Sequence, residues 1–275
     1  MNTTKESPHG TNRKTATGVG GLFTPKSITT RREKMNTDRR TAIIVGVLFL
    51  LGFAGVLMFP VLGNTLNPPD YLTKISAHQG QVLIAALLQL IMAFACAGIA
   101  IGLYPILKKH NESLALGAVG FRIIENVFQI VAALGLLLLL TLSQEYVKAD
   151  ALAAPAFQTV GASLLAVKFW APMLAGIGFC LGALMYYYVF YQSKLIPRWL
   201  SGWGLIAITL HLVAVFFAMF GQIDAFSGSP ILLLSAPIFF QELTLAGWLI
   251  VKGFNPSAIP SRAAKTATNE LLSAA

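Results

Sequence analysis

LALGAVGFRIIENVFQIVAALGLLLLLTL, residues Leu114–Leu142, is apolar except at Arg122, Glu125, Asn126, Gln129 and Thr141. A helix needs roughly 20 mostly apolar residues to cross the hydrocarbon core of a bilayer, and this run exceeds that. Arg122, Glu125, Asn126 and Gln129 are spaced i, i+3, i+4 and i+7, which puts all four on one helical face. Ionisable groups at membrane depth cost about 2.5–3.5 kcal/mol each on insertion scales unless paired or wetted. This face must turn to a bundle interior or a water-filled cavity. The stretch therefore reads as a membrane span with one polar side.

Five more runs of similar length surround it: Ala42–Gly63, Val82–Leu107, Leu165–Tyr191, Gly202–Gly221 and Ile231–Val251. The six leave no room for a soluble catalytic domain. The expected fold is all-α, a polytopic bundle of six transmembrane helices over residues 41–253. Composition agrees: 56% of residues are hydrophobic and 11% charged, with mean hydropathy +0.69, against about 25% charged in ordinary globular proteins. The first run is too long for a signal-peptide core of roughly 7–15 residues, and no Ala-x-Ala-like site follows it. It reads as a retained span.

The net charge of +9 does not describe a nucleic-acid surface. Nine of the 20 Lys and Arg fall in the first 40 residues, and most others sit at span ends. Taking the loops alternately, 16 basic residues fall on one side and two, Lys74 and Lys148, on the other. The positive-inside rule then places both termini in the cytoplasm, and an even number of spans agrees. Residues 1–40 are polar and aperiodic and read as a disordered basic tail. Met35, shortly before the first span, reads as a natural start, with residues 1–34 as a mis-called extension; the rival reading is a basic arm touching anionic lipid. Residues 254–275 read as a flexible C-terminal tail. Tyr104, Tyr186, Tyr187, Tyr188, Tyr191, Trp199 and Trp203 fall near the cytoplasmic ends, and Trp170 near an outer end, as interface anchors. The outer loop 64–81 has room for a short interfacial helix, Tyr71–Ala77.

Other polar groups interrupt the spans. Gln241 and Glu242 lie near the middle of the sixth, five residues after Pro237 in the case of Glu242. His211 is central in the fifth. Gln89 shares a face of the second with Ala85, Met92 and Cys96. Lys168 heads the fourth run and is expected to snorkel outward. Gln89 and His211 read first as helix-to-helix hydrogen bonders, worth about 0.6 kcal/mol in a membrane. Arg122 with Glu125 reads equally as a structural or a functional pair. A second mid-membrane acid, Glu242, is more than packing requires. The pairs Gly98 with Gly102 and Gly178 with Gly182 suit close helix approach within the monomer. Cys96 and Cys180 lie inside apolar runs and read as small core residues.

Several chemistries are missing from the sequence. It has no phosphate-binding Gly-rich loop with a lysine, no Gly-x-Ser-x-Gly elbow and no His-x-x-x-His pair. His9, His78, His110 and His211 lie at different depths, which gives no metal set and no bis-His haem. No cofactor is implied.

Six segments together resemble a known family. These are Arg39-Arg40-Thr41-Ala42-Ile43-Ile44, Leu103-Tyr104-Pro105-Ile106-Leu107-Lys108, Gly120-Phe121-Arg122-Ile123-Ile124-Glu125, Leu142-Ser143-Gln144-Glu145-Tyr146, Pro197-Arg198-Trp199-Leu200-Ser201 and Trp248-Leu249-Ile250-Val251-Lys252-Gly253-Phe254-Asn255-Pro256. In this order they resemble the bacterial membrane family known as domain of unknown function 4386, over about Asp38 to Pro256. The resemblance implies a six-helix protein of the bacterial plasma membrane. It brings no activity and no catalytic residues.

Three functional classes follow. The first is a small transporter or binding protein with Arg122, Glu125, Asn126, Gln129, His211, Gln241 and Glu242 around a small polar ligand or a proton. The second is an intramembrane enzyme acting on lipid, with Glu125 or Glu242 as acid or base beside His211; it lacks a convincing nucleophile or metal. The third is an assembly or sensor subunit whose polar cluster only sets helix register. The first two require a water-filled cavity and the third dry packing. Binding or transport ranks first. The partners expected are the bilayer and a small polar ligand, not nucleic acid; the oligomeric state is left open.

Overall fold

In the computed structural model, residues 25–67, 69–222 and 229–259 are described, with side chains from 37 and, in the last segment, from 231. The elements are α1 Pro25–Gly52, α2 Ala54–Leu62, α3 Tyr71–Ala77, α4 Gln79–Leu107, α5 Glu112–Tyr146, α6 Ala154–Ser193, α7 Arg198–Met219 and α8 Ser229–Val251. A 3-10 turn, Pro256–Ala258, follows. Six stretches are long and apolar enough to span a membrane, the first being α1 and α2 together, Thr37–Leu62. The chain is a multi-pass all-α membrane protein.

The first span is broken at Phe53. There the ladder tightens to i→i+3 bonds, Phe53 N–H to Leu50 O at 3.2 Å and Val56 N–H to Phe53 O at 3.0 Å. Gly52 and Gly55 flank the break and lower helix propensity there. Elsewhere the helices overrun their apolar runs. Asn111 caps α5, its side chain accepting from Leu114 N–H at 2.9 Å. At 35 and 40 residues, α5 and α6 are roughly 52 and 60 Å long, well beyond a ~30 Å hydrocarbon core. Each must tilt or project from it.

Each span packs on its neighbours in sequence, and α8 closes onto α1. The result is a ring in chain order. Small residues set its seams. A Cβ on Gly178 would lie 3.1 Å from Phe121 O and from Glu125 N, and one on Gly182 3.2 Å from Ala118 O. The α5–α6 contact is therefore close to backbone on backbone. Between α4 and α1, a Cβ on Gly102 would lie 2.9 Å from the Val45 side chain. Large apolar side chains such as Leu87, Phe94, Leu116, Ile206 and Leu233 point outward, where lipid accepts them.

The ends are tied together. At one end Arg39 donates to the last carbonyls of α8, Leu249 O at 2.9 Å and those of Ile250 and Val251. Lys109 pairs with Asp38 at 3.3 Å. At the other end α3 lies against α5, and Tyr71 donates to Gln158 O at 3.5 Å. Burial, with Tyr146 nearby, pushes the Tyr71 hydroxyl up from its ordinary value and keeps it a donor.

Three expectations need correction. Residues 25–40 are not tail but the start of α1; once the span nucleates a helix, adding residues is cheap, and Pro25 suits a first helical position. Residues 1–24 lie outside the described residues. Phe254 is buried against Phe190, and Asn255 N–H bonds to Leu195 O at 2.8 Å. The expected flexible tail is therefore docked as far as Ile259; residues 260–275 are outside the described residues. Tyr186 and Tyr187 are not interface anchors. They are fully buried, because their face of α6 points into the ring, while Tyr188, Tyr191 and Trp199 remain outside.

Candidate functional site

The apolar interior comes in two blocks. One gathers Phe49, Ile99, Leu103, Ala115, Ala118, Tyr186, Phe190 and Leu249. The other gathers Met58, Ile75, Val82, Ala85, Leu136 and Leu139. On every helix that contributes to both, the residues between the blocks carry the polar groups. On α4 these are Gln89 to Cys96, and on α5 Arg122 to Gln129. The break at Phe53 lies at the same level of the first span.

Arg122 and Glu125 are 1% and 4% exposed and form an ion pair at 2.9 Å. Their i, i+3 spacing on α5 makes the pair local. Arg122 also donates through Nε to Cys96 O at 3.3 Å and lies 4.9 Å above the Phe179 ring. Its stem packs on Gly182. The guanidinium is thus held by α4, α5 and α6 at once, in the fork and stacking geometry that arginine suits.

One helical turn further along the same face, exposure returns. Ala115, Ala118, Arg122 and Glu125 are buried, and so are Ala132, Ala133 and Leu136 beyond. Asn126 and Gln129 between them are only half-buried. Packing on this face is therefore looser at their level than in the turns on either side. The Asn126 side-chain oxygen has no hydrogen-bond partner among the described residues.

Gln129 accepts a short bond from Gln89 Nε2. Gln89 Oε1 in turn accepts from Lys168 Nζ at 3.2 Å, and Met58 Sδ lies 3.4 Å from the same ammonium. Lys168 is 6% exposed, so the expected snorkelling does not occur. The apolar run at Leu165 is not where α6 begins. The helix starts at Ala154, about 21 Å before Lys168 along its axis, which sinks Lys168 into the span. The signal for this in the sequence is the set Ala156, Phe157, Val160 and Leu164.

The sixth-span groups lie across the ring. Glu242 accepts from the Tyr186 hydroxyl at 3.4 Å. Gln241 is fully buried, accepting from Tyr187 and donating to Leu200 O at 3.1 Å. Arg122 acts on Glu242 electrostatically, but its ion pair is with Glu125. The third and sixth spans do not pack face to face, because the ring order seats α5 between α4 and α6 and α8 between α7 and α1. His211 bonds Ser235 Oγ at 2.9 Å and meets the Phe179 ring at 5.7 Å. It shares that ring with Arg122 but joins α7 to α8. Among the described residues, no three His, Cys, Asp or Glu side chains come together to hold a metal.

The structure thus brings Arg122, Glu125, Asn126 and Gln129 to one face and leaves Gln241, Glu242 and His211 on the facing wall. Lys168, Tyr186 and Tyr187 join them, none of which the sequence pattern marks as part of the site. A family model described as domain of unknown function (DUF4386) matches residues 44–253. No curated protein and no solved structure matches the chain.

Proposed function

We propose that this chain, which belongs to the family described as domain of unknown function (DUF4386), binds a small polar ligand or a proton in the polar layer of its bundle and hands it across the membrane. The observation that carries this reading is the partial exposure of Asn126 and Gln129 between buried turns of the same helix face, which we read as a gap. A cluster that served only to fix helix register would be sealed at that level. The second carboxylate, Glu242, supports the reading. Arg122 is committed to Glu125, so Glu242 has no cation of its own among the described residues and is free to take a proton or a donor from a ligand. We place both chain ends in the cytoplasm of a bacterial plasma membrane, on the 16-to-two division of basic residues and the family resemblance.

The test is chemical access. A Gln129→Cys variant in native membranes is treated with a small, membrane-impermeant methanethiosulfonate. The expected result is modification from one side, faster than at lipid-facing Leu134→Cys and above the baseline of the buried Cys96 and Cys180. No modification at Gln129→Cys from either side makes the layer dry and leaves an assembly role.

A further inference from the structure

Among the described residues, Lys168 is a buried charge without a counter-charge. Its ammonium is buried and, among the described residues, bonds only to a thioether and an amide oxygen. A buried cation normally has a counter-charge, and none is in contact with this one among the described residues. Its two acceptors leave one of its three N–H donors unused.

That ammonium also sets the direction of the amides beside it. It has no lone pair, so Gln89 must turn its oxygen to Lys168 and its NH2 to Gln129. Gln129 then spends its oxygen on Gln89. Its own NH2 has no protein partner among the described residues, and the residue is half-buried at the gap. Asn126, one turn away on the same face, holds a side-chain amide equally uncommitted at its oxygen. The arrangement leaves the Lys168 ammonium and the Gln129 NH2 short of acceptors at one level of the bundle, while Glu125, one turn away, is held by Arg122.

We propose that Lys168, with the Gln129 amide, binds the carboxylate of a small organic acid in this gap. The bound anion neutralises Lys168 and takes its spare N–H together with those of Gln129, in charge-assisted bonds. The acid comes either from water, as a short free acid, or from the bilayer, as an acyl chain. The inference rests on the gap being wet, as set out above, and names what the gap holds.

Thermal unfolding of the protein in lipid nanodiscs tests it, with sodium acetate or sodium octanoate compared against sodium chloride at equal concentration. The expected result is a saturable rise of roughly 3–6 °C at about a hundredfold excess over Kd. A response to acetate points to the aqueous source, and one to octanoate alone to the acyl chain. The rise is lost in Lys168→Met and kept in Lys74→Met, which alters an outer-end lysine. Should Lys168→Met give no cooperative transition, Gln129→Leu keeps the lysine and is expected to weaken binding about tenfold. No rise with either carboxylate overturns the proposal, as does an undiminished rise in Lys168→Met or, where that variant does not fold, in Gln129→Leu. If Gln129→Cys is modified while carboxylates have no effect, only the anion is wrong; if Gln129→Cys is inert, the wet layer itself is wrong.

Discussion

Arg122 and Glu125 are each held by the other's charge, so their energetics should show in which one is removed. Arg122→Met leaves Glu125 buried with no cation and should cost about 3–5 kcal/mol. Some packing survives, because the methionine stem still lies on Gly182 and Phe179. Arg122→Met combined with Glu125→Gln removes both charges and should regain most of that loss. Thermal unfolding in detergent reads both; equal, negligible effects would mean that Arg122 is solvated. This pair is legible in the sequence, since i, i+3 spacing in an apolar run allows little else. The burial of Lys168 is not. Its neighbours on α6 are mildly apolar, and hydropathy alone sets the span boundary at the lysine. Tyr186 and Tyr187 mislead for a related reason. A run of three tyrosines near a span end looks like a headgroup anchor, and only the rotation of α6 separates the two buried rings from Tyr188.

At the scale of helices, the α5–α6 seam depends on absent side chains. Gly178 faces Phe121 O and Glu125 N, which are backbone atoms that cannot turn aside. Gly178→Ala should therefore cost about 1–3 kcal/mol by forcing the helices apart. It should also loosen the Arg122–Glu125 pair that rides on the seam. Gly247, with nothing within 4 Å of its added Cβ, is the control. Gly247→Ala should be neutral or stabilising by up to about 1 kcal/mol through helix propensity. Reversed effects in unfolding assays would mean that the seam is looser than described. The six spans and the short helix Tyr71–Ala77 are readable from the sequence, because length and hydropathy determine them. The break at Phe53 is not, since Gly52 and Gly55 are tolerated inside many membrane helices. Nor are the docked Phe254 and Asn255, whose partners Phe190 and Leu195 are some 60 residues away in the chain.

For the molecule as a whole, the closed ring follows from short connections between successive antiparallel spans, with Arg39 fastening the end of α8 to α1. Orientation is a separate matter, and our proposal for it rests on charge. Thr73→Cys on α3 should react with an impermeant maleimide added from outside the cell. Gln192→Cys, near the end of α6, should react only after the inner face is opened. The opposite pattern would reverse the topology. What a ring alone does not give is a reason for two apolar blocks with a polar layer between them. The layer makes sense if water and a ligand enter it. An experimental density map of the protein in lipid nanodiscs settles this most directly. Ordered water or ligand density beside Asn126, Gln129 and Lys168, in a gap continuous with one face of the bundle, is the expected result. Side chains closed over Gln129 with no density between them would contradict it.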